Sequence, residues 1–337
     1  MVDVDALQHG LDALAPRLRA GGKCVSALQR LSGGASQETW SFVVHADAQG
    51  ELPMVLRRAP EGAAERAAGN ATLDAEARII DQVSRTGVPV PAVPLVLQPS
   101  MGLGEGYFMQ HVAGETLGRR IVGDARLASA RERLALQCGQ ALARIHAVDL
   151  ARLPPLRRAP AADELAYYEA RHRSHASPRP VFELALQWLK RHRPPDPARL
   201  SLVHGDFRNG NLVVDDRGLR AVLDWEMAHL GDPMEDLGWI CVNSWRFGRH
   251  ELPVGGFGTR EELFAGYVEA GGTLQVDSVH YWEVFGTLKW GVICEGMAQA
   301  YLSGAERNVE RATIGRRASE AEIDLLCLLA PRAAEPA

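Results

Sequence analysis

The sequence is poor in cysteine, and the few it has are scattered: Cys24, Cys138, Cys241, Cys294 and Cys327 are odd in number and never spaced as CxxC. That pattern excludes a disulfide framework and offers no zinc site. Long apolar runs are missing too. No stretch of about eighteen apolar residues occurs, so a membrane span is not expected. The N-terminus, MVDVDALQHG, places acids where a secretory signal carries Lys or Arg, and no apolar h-region follows, so a cytoplasmic location is expected. An excess of positive charge is also lacking. The formal net charge of −5 over 337 residues argues against a nucleic-acid partner, whose footprint is a basic stripe. No internal repeat is visible. What remains, with 46% hydrophobic and 23% charged residues, is the composition of a folded globular chain long enough for two lobes sharing a cleft.

Periodicity divides the chain. Residues 1–20 place Val4, Leu7, Leu11, Leu14 and Leu18 at helical spacing and read as an N-terminal helical appendage. Residues 21–112 read as a compact first lobe. There KCVSALQRLSG, ETWSFVVHA and ELPMVLRRAP are β-type runs separated by turn residues, and TLDAEARIIDQVSRTG follows as a helix with Leu73, Ala77, Ile80 and Val83 on one face. VPLVLQP and GYFMQHV then complete a five-stranded sheet. Residues 113–337 form a larger, mostly helical lobe, with helices expected at 125–148, 162–173, 180–193, 231–246, 259–270, 276–302 and 316–330. Only LSLVH, NLVVDD and LRAVLDW interrupt it as short strands. The architecture predicted is therefore α+β and two-lobed, a small sheet lobe with one helix beside a helical lobe.

The chemistry concentrates in residues 200–226, LSLVHGDFRNGNLVVDDRGLRAVLDWE. An apolar strand delivers His204, Gly205 and Asp206 into a loop. Asn211 follows Asp206 by five residues, and a strand pair returns Asp224 eighteen residues after it. Phosphoryl transfer needs a carboxylate beside the attacking hydroxyl and oxygen ligands that hold magnesium against nucleotide phosphates. Asp206, Asn211 and Asp224 are residues of those types at a spacing that brings them together.

The HGDxxxxN stretch followed by DWE resembles the aminoglycoside phosphotransferase and choline kinase group, whose loop is similar to the HRDxxxxN and DFG elements of protein kinases. The resemblance runs from about residue 30 to 303. MVLRRAPEG, TGVPVPAV, FMQHVAGETL, HGDFRNGN and VLDWE look most like the kinase domains fused to acyl-CoA dehydrogenases and their free-standing bacterial relatives. It implies a protein-kinase-like fold, ATP and Mg2+ as cofactors, Asp206 as catalytic base, and Asn211 and Asp224 as metal ligands. Arg208 either stabilises the transferring phosphoryl group or is an exposed loop arginine. Arg57 stands where kinases carry the strand lysine that engages nucleotide phosphates, with Glu76 nineteen residues later on the predicted helix to orient it. Arg58 is the alternative, because strand alternation points the two to opposite faces. Gly33, Gly34 and Ser36 form the candidate phosphate-covering loop. Gln110, His111 and Val112 resemble the hinge that offers backbone groups to the nucleotide base. In HLGDPMEDLGW, Asp236 is expected to brace the catalytic loop and Asp232 to cap a helix.

The resemblance implies a small-molecule hydroxyl acceptor, and charge narrows its class. Between residues 151 and 200, ten basic side chains face five acids. A polycationic aminoglycoside is repelled by such a surface, whereas an anionic acceptor such as a hydroxyacyl-CoA is attracted. Three readings stay open: a hydroxyacyl-CoA kinase, an aminoglycoside phosphotransferase, and a pseudokinase that binds nucleotide without turnover. The basic segment also admits a plain reading as solvated helix faces.

Overall fold

The fold of this computed structural model follows from the alternations just described, and the structure describes residues 3–31, 37–46, 50–59, 70–175 and 177–330. Gly33, Gly34 and Ser36 lie outside the described residues. Helix α1 (Val4–Leu18) starts where the Asp3 side chain accepts a hydrogen bond from Ala6 N at 3.0 Å. Leu7, Leu11, Leu14 and Leu18 are buried, while Val4 is exposed. These leucines close over Trp40, Phe42, Val44, Met54, Leu56 and Phe108 of the sheet. The helix is thus a covering layer of the sheet, each buried leucine contributing about 1.5–3 kcal/mol.

The sheet is antiparallel, built from β1 (Gly22–Arg30), β2 (Glu38–Ala46), β3 (Gly50–Arg58), β4 (Leu95–Val96) and β5 (Gly106–Gln110), in the order β1-β2-β3-β5-β4. Met54 and Leu56 on β3 face α1, so Val55 and Arg57 face the other way. Helix α2 (Leu73–Ser84) belongs to that second side. Thr72 caps it, and Leu73, Ala77, Ile80 and Val83 are buried as their spacing predicts.

Beyond β5 the chain crosses to the larger lobe, pinned by Glu115 and Val214, which exchange backbone bonds of 2.8 and 2.9 Å. That lobe contains α3 (Gly118–Gly123), α4 (Ala128–His146), α5 (Ala161–Arg173), α6 (Pro180–Arg191), α7 (Met234–Trp239), α8 (Arg260–Glu269), α9 (Val276–Leu302), α10 (Val309–Gly315) and α11 (Ala318–Leu329). Two small ladders lie among them: β6 (Ser201–Val203) with β9 (His229–Gly231), and β7 (Leu212–Asp215) with β8 (Gly218–Val222). Among the described residues no helix is long and apolar enough to cross a membrane.

One expected element is corrected. The continuous helix over 231–246 is instead α7, an extended Val242 (ψ 133°) and a 3-10 turn over Asn243–Trp245. The break folds the chain back so that Trp245 packs on Trp239 with ring centroids 5.2 Å apart. Tertiary packing of three tryptophans, Trp239, Trp245 and Trp290, overrides a local helical pattern here. The short elements β9, α3 and α10 were not anticipated.

Candidate active site

The loop after β6 is fixed before any side chain reaches solvent. Asp236 on α7 accepts hydrogen bonds from His204 N at 2.8 Å and Gly205 N at 2.9 Å, and its Oδ2 lies 3.1 Å from His146 Nε2. Burial works against that carboxylate, yet His146, His204 and these donors hold its pKa below the ordinary aspartate value. Asp236 therefore braces the loop, as its position suggested. Asp232 accepts from Met234 N at 2.9 Å at the start of α7 and from Trp282 Nε1 at 2.8 Å. Gly205 has φ +79°, and a Cβ there would sit 2.6 Å from Met227 O, so both conformation and space demand glycine.

His204 is buried and its tautomer follows from its partners. Nδ1 accepts from Asp206 N at 3.2 Å, and Nε2 faces Leu223 O at 3.0 Å, which can only accept. The ring is neutral with its proton on Nε2. It is a strut between the loop and the strand end before Asp224.

Asp206 is held by three donors. Its Oδ1 accepts from Arg208 Nε at 2.8 Å and Trp239 Nε1 at 2.9 Å, and its Oδ2 accepts from Asn211 Nδ2 at 2.6 Å. The carboxylate stays partly accessible at 13%. Because Asn211 Nδ2 also donates to Asp206 O at 2.9 Å, the amide oxygen of Asn211 points away from the loop. Arg208 is no free loop arginine. Its guanidinium stacks 4.6 Å over the Trp245 ring and donates from Nη1 to Asn209 O at 2.9 Å.

Asp224 stands at φ +65°, a conformation uncommon for a residue with a side chain. Leu223 N donates to Asn211 O at 2.8 Å, which ties Asp224 to the loop carrying Asn211. The Asp224 carboxylate meets Arg57 Nη2 at 2.5 Å. Arg57 also lies 3.2 Å from Glu76 and 3.4 Å from Glu226, and Tyr107 donates to Glu76 at 3.1 Å. Burial opposes the charge on Arg57, but Asp224, Glu76 and Glu226 outweigh it and raise its pKa above the ordinary arginine value. Arg58 takes the opposite face, donating from Nε to Glu38 at 3.0 Å, its partner in the β2–β3 register. The cleft is therefore reached by Arg57, paired with Glu76.

The hinge is partly committed to the protein itself. Gln110 N donates to Ala92 O at 2.8 Å and His111 N to Pro53 O at 3.1 Å. Both amides are thus used within the protein, and among the described residues Val112 N finds no backbone acceptor. The donor this segment can offer a ligand is that of Val112.

On the side of α5 and α9 opens a cavity of about 460 Å³ whose lining includes Arg157, Arg158, Arg171, Tyr168, Glu226 and Lys289. Three residues of the basic segment thus converge there. Others are spent on structure: Arg173 and Lys190 pair with Glu169, and Arg179 pairs with Glu295 and Glu322. Lys289 is 2% exposed, its Nζ 3.2 Å from Gly205 O and 3.4 Å from Glu235. Burial opposes its charge, but Tyr168, Glu235, Glu164 and Asp206 raise its pKa above the ordinary lysine value. Sequence reasoning assigned no role to Trp239, Glu226 or Lys289. Glu226 had a signal in the DWE triplet, whereas Trp239 and Lys289 arrive only through tertiary packing.

Comparison with known proteins bears on the family and the fold. The chain is similar to mouse acyl-CoA dehydrogenase family member 10, with 28% identity over 287 residues, covering 80% of this chain and 26% of that protein. It thus spans about a quarter of that relative's length. In structure it is similar to a protein from Ralstonia eutropha provisionally assigned as an aminoglycoside phosphotransferase, with TM-score 0.74, 20% identity, and coverage of 97% and 98% of the two chains. It is also similar to aminoglycoside phosphotransferase APH(4)-Ia, solved as a ternary complex with AMP-PNP and hygromycin B, with TM-score 0.61, 17% identity, and coverage of 95% and 98%. These likenesses establish the two-lobed kinase-like fold. The sequence model of the APH phosphotransferase enzyme family matches residues 27–272, and the chain belongs to that family.

Proposed function

We propose that this protein transfers the γ-phosphoryl group of ATP to a hydroxyl of an anionic small molecule, with a hydroxyacyl-CoA as the favoured acceptor. The observation that carries the reading is the Asp206 carboxylate, gripped by Arg208, Trp239 and Asn211, with the Arg57 cluster meeting an arginine-lined cavity at Glu226. Asp206 orients the acceptor hydroxyl and takes its proton as the oxygen bonds to phosphorus and the bond to the β-phosphate oxygen breaks. Arg208, already hydrogen-bonded to Asp206, faces the charge that develops on the phosphoryl oxygens. Arg57 engages the nucleotide phosphates, Glu76 holds it there, and Val112 N serves the base.

The residues present suit magnesium. Nucleotide-bound Mg2+ takes one or two protein oxygens and completes its shell with phosphate oxygens and water. Asn211, whose oxygen is turned outward by its two Nδ2 bonds, and Asp224 offer that donor set. Asn211 and Asp224 would hold the metal, which would supply neutralisation of phosphate charge.

Cavity charge supports the acceptor class. Arg157, Arg158, Arg171 and Lys289 face Asp163, Glu164 and Glu226, a balance that favours a ligand bearing phosphates over a polycation. The relative named as an acyl-CoA dehydrogenase family member supports the same reading. Competitive kinetics with free CoA, a 4-hydroxyacyl-CoA and kanamycin test it. ADP release with the acyl-CoA and inhibition by free CoA are expected; phosphorylation of kanamycin with no effect of either CoA compound contradicts the acceptor assignment.

A further inference from the structure

Lys289 is a buried cation whose bonds are long. Charged donors normally sit about 2.7–2.9 Å from their acceptors. The Lys289 ammonium lies 3.2 Å from Gly205 O and 3.4 Å from Glu235 Oε1. Among the described residues it also lies over the faces of Trp239 at 4.8 Å and Tyr168 at 5.9 Å, and it lines the cavity. One of its three N–H groups has no oxygen or nitrogen partner there. Burying such a group is costly unless an acceptor arrives.

The buried charges beneath the cavity are equal in number, so no spare carboxylate there takes up the free N–H of Lys289. His229 Nδ1 faces Met227 O at 2.9 Å and its Nε2 faces Glu235 at 3.1 Å, so both nitrogens carry protons and the ring is an imidazolium. Lys289 and His229 are then two buried cations against the two buried carboxylates of Glu235 and Glu164, with Arg157 reaching Glu164 from the rim. Arg157 and Arg158 are exposed and Arg171 half-buried, so the cavity runs from an arginine rim to a lysine floor. That floor adjoins the reacting residue twice over. Gly205 immediately precedes Asp206, and Trp239, under the ammonium, donates to Asp206 Oδ1.

We propose that Lys289 is a specificity-determining residue that binds a carbonyl or carboxylate oxygen of the acceptor close to its reacting hydroxyl, while the rim arginines take the acceptor's distal phosphates. The assignment rests on the acceptor reading above. It predicts that the enzyme distinguishes two acceptors that differ only in that oxygen.

The test pairs a 4-hydroxyacyl-CoA with the matching 4-hydroxyalkyl-CoA thioether, which keeps the hydroxyl and phosphates but lacks the carbonyl. Wild-type kcat/KM is expected to favour the thioester by about 10- to 100-fold, the range for a hydrogen bond to a charged group. In Lys289→Met the loss falls on the thioester, mainly in KM, and the ratio drops towards one. Equal kcat/KM for the two compounds in the wild type overturns the assignment without recourse to the variant. Equal loss on both compounds in Lys289→Met also overturns it, because the lysine then acts only through the Gly205 loop. A wild type that phosphorylates neither compound overturns the acceptor reading and this assignment with it.

Discussion

Arg57 Nη2 and Asp224 Oδ1 lie 2.5 Å apart, joining the end of β3 in the sheet lobe to the segment that follows β8 in the helical lobe. This pair links the sheet lobe to the helical lobe. Asp224 is also the carboxylate proposed to hold magnesium, so one oxygen serves the guanidinium while the other remains for a metal.

Replacing Asp224 with Ala separates these two duties. Arg57 keeps Glu76 and Glu226 as partners, so the thermal midpoint of the nucleotide-free protein is expected to shift by no more than about 4 °C, the scale of a 1 kcal/mol change. Magnesium-dependent tightening of ATP binding is expected to vanish. Titrating magnesium against ATP binding in both proteins checks this, and undiminished magnesium dependence in Asp224→Ala removes the residue from the metal site.

The imidazolium of His229 predicts a pH dependence of stability with a definite sign. Burial opposes its charge, but Glu235 outweighs burial and raises the folded-state pKa above the unfolded value of about 6.5. A raised pKa means the contribution is complete below about pH 6.5 and is lost as pH rises through the folded value. Urea midpoints at pH 6 and pH 9 should therefore fall more in the wild type than in His229→Gln, which carries no titrating ring. Equal falls in both proteins contradict the protonated assignment.

The parts of the site legible in the sequence are those carried by short spacing. Asp206, Asn211 and Asp224 come together because one loop and one hairpin carry all three, and Glu76 faces Arg57 because a single helix follows the strand. Alternation showed that Arg57 and Arg58 diverge but not which one enters the cleft. That depended on Tyr107 and Glu38, which flank the strand in the folded sheet. Trp239 reaches Asp206 across thirty-three residues and Lys289 reaches Gly205 across eighty-four, contacts that no local pattern encodes. The hinge shows the same limit, since the spending of the Gln110 and His111 amides on Ala92 and Pro53 is a tertiary fact.

The account stands most directly on Asp206 as the base. Asp206→Asn preserves the side chain's shape among Arg208, Trp239 and Asn211, so the thermal midpoint should stay close to that of the wild type and ATP should still bind. Removing the proton acceptor should lower kcat by about 10²- to 10⁴-fold. ADP release measured with magnesium, ATP and a 4-hydroxyacyl-CoA decides the matter: a folded, ATP-binding variant with that loss is the predicted result, and near-wild-type turnover by Asp206→Asn would contradict it.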